Sequence, residues 1–197
     1  LVPSTAVPVT LWAEGWCGER YDGEVAVHQG KAPFSRIGLE PRDPEPLPEA
    51  LLAILQADVI LLAPGSLYTS ILPNLLIPEL RRALQRASAP RIYVANLVPE
   101  AGETEGFDLA DHVAVLQAVG GFGLDGVLAD DECMRLAPDA VRAVGSLEGA
   151  PSARVLGVPL WRAPLRDPTC SVARHEPIRL NRALHRVVAE LGTCLAS

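Results

Sequence analysis

The sequence predicts an α/β fold: a three-layer, Rossmann-like arrangement around a mostly parallel sheet, with an added antiparallel hairpin. Three observations predict it. Residues 57–63 (ADVILLA), 91–96 (RIYVAN) and 126–129 (GVLA) are short runs with unbroken apolar middles, the pattern of strands covered on both faces. Segments of helical periodicity separate these runs, at the spacing of right-handed βαβ units. Residues 9–16, by contrast, alternate loosely and lead to a turn-like Tyr21-Asp22-Gly23, which predicts a hairpin.

In chain order, residues 9–16 and 24–28 are expected to form the antiparallel pair, and residues 35–39 a further short strand. Residues 41–48 (PRDPEPLP) carry four prolines in eight positions, so they are neither helix nor central strand. The chain thus divides into a β-rich region (1–41), a proline-rich linker (42–48) and a βαβ region (49–197). Within the last, residues 49–56 read as a short helix, 57–63 as a buried strand, and the stretch to about Ser88 as helical. Residues 91–96 form the next strand, and a polar loop runs to Phe107. Asp108 is placed to cap a helix over 108–119. Residues 126–129 and 153–160 read as strands. A closing helix spans 178–191, with Leu180, Leu184, Val187, Val188 and Leu191 along one face.

Composition narrows the function. The net charge of -7 and the pI near 5.1 oppose a nucleic-acid or anionic-membrane partner, because an acidic surface repels polyanions. Lys31 is the only lysine, which argues against Schiff-base or P-loop lysine chemistry. Cys17, Cys133, Cys170 and Cys194 form no CxxC pair and read as free thiols of a reducing, cytoplasmic setting. No apolar run reaches about 18 residues, the length of a membrane helix. The chain begins at Leu1 rather than Met, which raises the expectation that further residues precede it.

Three segments carry the candidate site. Residues 64–74 (PGSLYTSILPN) leave a buried strand and enter a helix, at the carboxyl edge where open α/β sheets bind ligands. Gly65 allows a tight turn. Ser66, Thr69 and Ser70 cluster hydroxyls there, and helix-start N–H groups suit a phosphate. The alternative is a plain helix start with Ser70 as its cap. Residues 96–112 leave the next strand at the same edge. Asn96 at the strand end suits a base or sugar hydroxyl, and Glu103 a hydroxyl or a metal. Glu100 and Glu105 are expected to face water. His112, one turn into the helix, either reaches the site or is solvated. Residues 173–177 (ARHEP) bring Arg174 and His175 before the closing helix, where an anion can be clamped or Arg174 can pair with a surface carboxylate. Asp130, Asp131 and Glu132 read as a solvated strand end rather than a metal site. Ser66 lacks the G-x-S-x-G surroundings of a catalytic serine, so no catalytic residue is expected.

Taken together, these segments resemble the CofD-like family, and within it the YvcK-type gluconeogenesis factors. That group shows GPGSLYTSxxPNLL, then N-x-x-x-x-PGETDGY-x-x-x-DH, then R-H-D-P before the final helix. The chain matches at residues 64–76, at Asn96, at 102–104, at Gly106, Asp111 and His112, and at Arg174, His175 and Pro177. It departs at Ala63 for Gly, Ala101 for Pro, Phe107 for Tyr and Glu176 for Asp. The family's GGGTG loop and DDGGS-type segment are absent, so the chain matches the C-terminal portion of one CofD-like domain. The resemblance implies a cytoplasmic regulator of carbon metabolism, cell shape and cell-wall growth that binds a UDP-sugar, with a homodimer among its expected forms. Its alternative is a CofD-type transferase that moves a phospholactyl-type group from a guanosine diphosphate-linked donor to a deazaflavin alcohol, with Mg²⁺. A third reading keeps the fold without the binding. The ligand set expected under the first reading is Gly65, Ser66, Leu67, Thr69, Ser70, Asn74, Asn96, Glu103, Thr104, His112, Arg174 and His175.

Overall fold

A computed structural model describes residues 1–30, 33–131 and 154–195, with side chains described as far as Leu191. Lys31, Glu132, Cys133 and residue 153 lie outside the described residues, as does the side chain of Cys194. The described residues build two sheets. Strands β1 (Thr10–Glu14), β2 (Arg20–Asp22) and β3 (Arg36–Glu40) form a small antiparallel sheet in the order β2-β1-β3. Strands β4 (Ile60–Leu62), β5 (Arg91–Val94), β6 (Gly126–Asp130) and β8 (Val158–Ala163) run parallel in a second sheet. The short β7 (Arg154–Val155) closes it antiparallel, giving the order β4-β5-β6-β8-β7. The expected α/β class, mostly parallel with an antiparallel addition, is what forms.

Residues 24–28 are not the second strand of the hairpin. They form helix α1 (Glu24–Gln29), and β1 pairs instead with β2 on one side and β3 on the other. Val25 and Val27 imitate strand alternation, yet only Val27 is buried; Val25 is exposed. Gly23, at φ 90°, ends β2 before Glu24 opens the helix, where a carboxylate is favoured. Residues 153–160 likewise are not one strand. Leu156 and Gly157 both adopt positive φ (48° and 83°), which folds β7 back on β8 through a two-residue turn.

Between β4 and β5 the helical stretch breaks into pieces. A π-helical turn (Leu67–Ile71) runs into α3 (Leu72–Leu76), and α4 (Pro78–Arg86) follows. The break falls at Ile77, because a residue before proline is pushed to extended backbone, and Pro78 then suits the first helical turn. Helix α2 (Pro48–Leu55) precedes β4. Helix α5 (Leu109–Gly120) begins at Asp108 as expected: Asp108 accepts from the Asp111 N–H and Asp111 answers to the Asp108 N–H. That capping box contributes about 1 kcal/mol. The buried Leu109, Val113 and Leu116 contribute about 1.5–3 kcal/mol each, so packing rather than the cap holds α5.

The layers follow from the pleat. On one sheet face Ile60, Leu62, Tyr93, Ala95, Val127, Ala129 and Leu160 pack with α3, α4 and α5 into the main core, which Leu11, Ala13 and Leu39 of the small sheet also enter. On the other face Ile92 and Leu128 pack with Ala183, Val187 and Leu191 of α6 (Pro177–Leu195). Trp161 lies over Gly126, where a Cβ would come within 2.6 Å of its ring, so the glycine makes room for the indole. Strand β4 was expected to be covered on both faces. Leu61 is instead 41 % exposed, because β4 ends the sheet order and α6 packs on its central strands. Among the described residues no helix is long and apolar enough to cross a membrane.

Candidate functional site

Parallel strands point their carboxyl ends to one edge, so the segments leaving β4 and β5 emerge side by side there. Pro64, Gly65 and Ser66 after β4, residues 96–101 after β5, and Cys170 with residues 172–175 before α6 line one cavity of about 980 Å³. The three segments singled out in the sequence therefore meet, although Arg174 stands more than a hundred positions from Gly65.

Two of the walls are locked to each other. Asn96 clasps Gly65: its Oδ1 accepts the Gly65 N–H at 3.0 Å and its Nδ2 donates to the Gly65 carbonyl at 2.9 Å. Ser66 Oγ donates to Glu100 Oε1 at 2.7 Å. The Glu100 N–H donates to Thr104 Oγ1 at 2.8 Å, which folds the loop on itself. Glu100 therefore lines the cavity instead of facing water; Glu105 is exposed as expected.

Behind this wall sits a fully buried carboxylate. Glu103 Oε2 accepts the Tyr68 N–H at 3.0 Å, and its Oε1 accepts the Thr69 hydroxyl at 2.7 Å. His28 Nδ1, at the end of α1, lies 3.1 Å from the same Oε1. The helix start was expected to offer its N–H groups to a phosphate. At Tyr68 the anion is internal, because Glu103 supplies it. The hydrogen bond to Glu103 raises the His28 pKa above its ordinary 6.5; burial opposes this, and the charges of Glu103, Glu100 and Glu24 add to it. Gly102 adopts φ +83°, and a Cβ there would come within 2.4 Å of the His28 carbonyl, so only glycine lets the loop close against α1. Burial pushes the neighbouring Tyr68 hydroxyl up to about 12.

The third wall is held differently. The backbone of residues 166 and 175 forms an isolated bridge, and the Arg174 carbonyl accepts the Asp167 N–H at 2.8 Å. The Arg174 side chain is exposed. His175 is half-buried with Nε2 buried and unpartnered, and burial lowers its pKa against the charge of Asp130 and the main chain of Ala95. Asp130 is not solvated: it is buried and accepts the Leu165 N–H at 2.8 Å. Asp131 is exposed.

Of the twelve expected ligand residues, Gly65, Ser66, Asn96, Arg174 and His175 line the cavity. Leu67 is buried in the main core, Thr69 and Glu103 tie the two loops together, and Thr104 folds its own loop. Ser70 and Asn74 face an adjacent, mostly apolar cavity of about 660 Å³, where Asn74 Nδ2 donates to the Ser70 carbonyl. His112 is neither at the site nor solvated. It is buried in the core, where Nδ1 meets the Tyr93 hydroxyl at 2.9 Å, its ring lies parallel to Tyr93, and Phe107 meets it edge-on. Burial lowers its pKa to about 4, with Asp111 and Asp108 opposing. Val98, Pro99, Ala101, Cys170 and Val172 also line the cavity and carried no sequence signal beyond their position in loops. His28 was hidden by the strand-like reading of its segment.

A model of the family described as 2-phospho-L-lactate transferase CofD matches residues 1–144. The gluconeogenesis factor of Bacillus subtilis is 36 % identical over 151 residues, which cover 76 % of this chain and 47 % of that protein. A gluconeogenesis-factor relative from Deinococcus radiodurans is 38 % identical over 194 residues, 92 % of this chain and 40 % of its own length. The chain thus spans less than half the length of these relatives. A solved structure of a Bacillus halodurans protein, described as a member of the UPF0052 family, superposes with a TM-score of 0.79 at 30 % identity. The match covers 92 % of this chain and 60 % of that one.

Proposed function

The chain belongs to the CofD family, and from that premise we propose that its sheet-edge cavity binds the diphosphate of a nucleotide-linked sugar, a uridine diphosphate sugar first of all. The binding serves regulation of carbon metabolism and cell-wall growth rather than a chemical step. One observation supports this reading above the others: three segments distant in sequence border one cavity of about 980 Å³, and sites for small molecules run to about 1,000 Å³. Arg174 brings an exposed guanidinium suited to a diphosphate to its lining, and Ser66, whose hydroxyl donates to Glu100, lines it as well. The designation gluconeogenesis factor, borne by the relatives, supports the carbon-metabolism part.

The family model's description as a 2-phospho-L-lactate transferase keeps a second reading, which the resemblance fills in as transfer of a phospholactyl-type group from a guanosine diphosphate-linked donor to a deazaflavin alcohol. That reaction implies Mg²⁺, an ion that takes oxygen ligands and usually one or two carboxylates. Glu100 is the one carboxylate among the described cavity-lining residues, and Ser66 already donates to it. One carboxylate among the described cavity-lining residues does not make an all-oxygen Mg²⁺ site.

Isothermal titration with UDP-, GDP- and ADP-linked sugars tests the proposal. Saturable binding of the UDP compounds, with a matching rise in melting temperature, is the expected result. Binding confined to guanine compounds, with turnover of a deazaflavin alcohol, would move the function to the transferase. No binding by any of them removes the proposal.

A further inference from the structure

We propose that His28, Glu100 and Glu103 form a site for one divalent transition-metal ion of the Mn²⁺ or Zn²⁺ kind, behind the wall of the sheet-edge cavity that Glu100 lines. The site stands on its own donor set and does not depend on nucleotide binding.

Three facts carry it. First, each residue offers a ligand atom, and the three atoms lie within 4.8 Å of one another. Two ligands bound at about 2.0–2.1 Å to a common ion stand roughly 3.0–3.4 Å apart. The His28 Nδ1 to Glu103 Oε1 separation of 3.1 Å, a hydrogen bond in the metal-free protein, lies in that range, so an ion could replace the proton with little movement.

Second, Glu103 is a fully buried carboxylate whose hydrogen-bond partners are a backbone N–H, a hydroxyl and an imidazole, with no guanidinium or ammonium among them. A buried charge is costly unless an opposite charge accompanies it. Imidazole supplies that charge only while it holds an extra proton, whereas a divalent ion supplies it with the ring neutral.

Third, the donors come pre-positioned from two separate elements. His28 ends α1, and the closed turn at Gly102 holds the Glu100–Glu103 loop against its carbonyl. Glu100 also lines the cavity and His28 is exposed, so the donor cluster is not sealed in the core.

One imidazole nitrogen with two carboxylates suits borderline ions. Mg²⁺ and Ca²⁺ prefer oxygen alone, and the absence of thiolate disfavours Cu⁺. Binding at Nδ1 replaces the proton that the metal-free ring shares with Glu103. That proton moves to Nε2 or to solvent, so uptake of the ion is weaker in acid.

The test is titration of the whole, chelator-treated protein with ZnCl₂, MnCl₂ and MgCl₂, read by calorimetry and by melting temperature. One Zn²⁺ or Mn²⁺ per chain should bind, with Mg²⁺ at least tenfold weaker. His28→Gln, at an exposed side chain whose loss leaves the core intact, should weaken Zn²⁺ at least tenfold; His185→Gln, on α6, should not. X-ray absorption at the zinc edge should report one imidazole and otherwise oxygen ligands. The proposal is overturned if neither ion binds, if His28→Gln binds Zn²⁺ as the parent does, or if the edge reports sulfur.

Discussion

The two sides of the cavity are built on opposite principles. The wall made by the β4 and β5 exits is cross-tied: Asn96 to Gly65, Ser66 to Glu100, and Glu103 to Tyr68, Thr69 and His28. The wall before α6 has a backbone bridge and an exposed arginine. The difference teaches that a polar residue at a candidate site can be committed to the protein itself. Glu103 and Asn96 cross-link the loops of their wall, while the Arg174 side chain is exposed with its charge near Asp167.

The largest effect should come from breaking the tied wall. Glu103→Ala leaves the buried Tyr68 N–H and the part-buried Thr69 hydroxyl without their acceptor, at about 1–3 kcal/mol each. Thermal unfolding should show a loss of roughly 4–24 °C, and an unchanged melting temperature would mean that the wall is held some other way.

Next comes the buried His112 beside that wall. Burial holds its folded-state pKa near 4, below the ordinary 6.5. Between those values the unfolded chain binds a proton that the folded chain does not. The stability this histidine contributes is therefore present above about pH 6.5 and is lost as pH falls toward 4, by up to about 3 kcal/mol. Denaturant titrations across that range should show the decline, and His112→Gln should flatten it.

Breaking the open wall should leave stability alone and strike binding. Arg174→Ala removes charge-assisted hydrogen bonds of about 1.5–3 kcal/mol, so the UDP-sugar should bind on the order of tenfold to a hundredfold more weakly. Melting temperature without ligand should hardly move. If affinity is also unchanged, Arg174 is ordinary surface and the cavity's ligand contacts belong to the tied wall.

The smallest effect is the control. Arg186 on α6 pairs with Glu190 four residues on, in the open, and such pairs are worth about 0.3–0.5 kcal/mol. Arg186→Ala should change neither binding nor, within a degree or two, melting temperature.

What the sequence determined by itself is the part written in local or strictly periodic form. Unbroken apolar runs marked β4, β5 and β6, Asp108 marked the start of α5, and strand-to-helix turns marked the edge where a site belongs. These depend on a few neighbouring residues and on which faces must be buried, so one chain segment carries the whole signal. The tertiary structure decided the rest. It made a helix of residues 24–29, because one buried valine and a preceding glycine outweighed an alternation that looked like a strand. It left Leu61 exposed, because the place of β4 in the sheet order is not encoded in β4. It also assigned each polar candidate to cavity lining, loop or core. Asn96, Glu103 and His112 are alike in sequence as polar groups near a sheet edge. Which of them faces the cavity, which is spent on a helix start and which stacks on Tyr93 depends on partners 19–75 positions away, and only packing brings those partners within hydrogen-bonding distance.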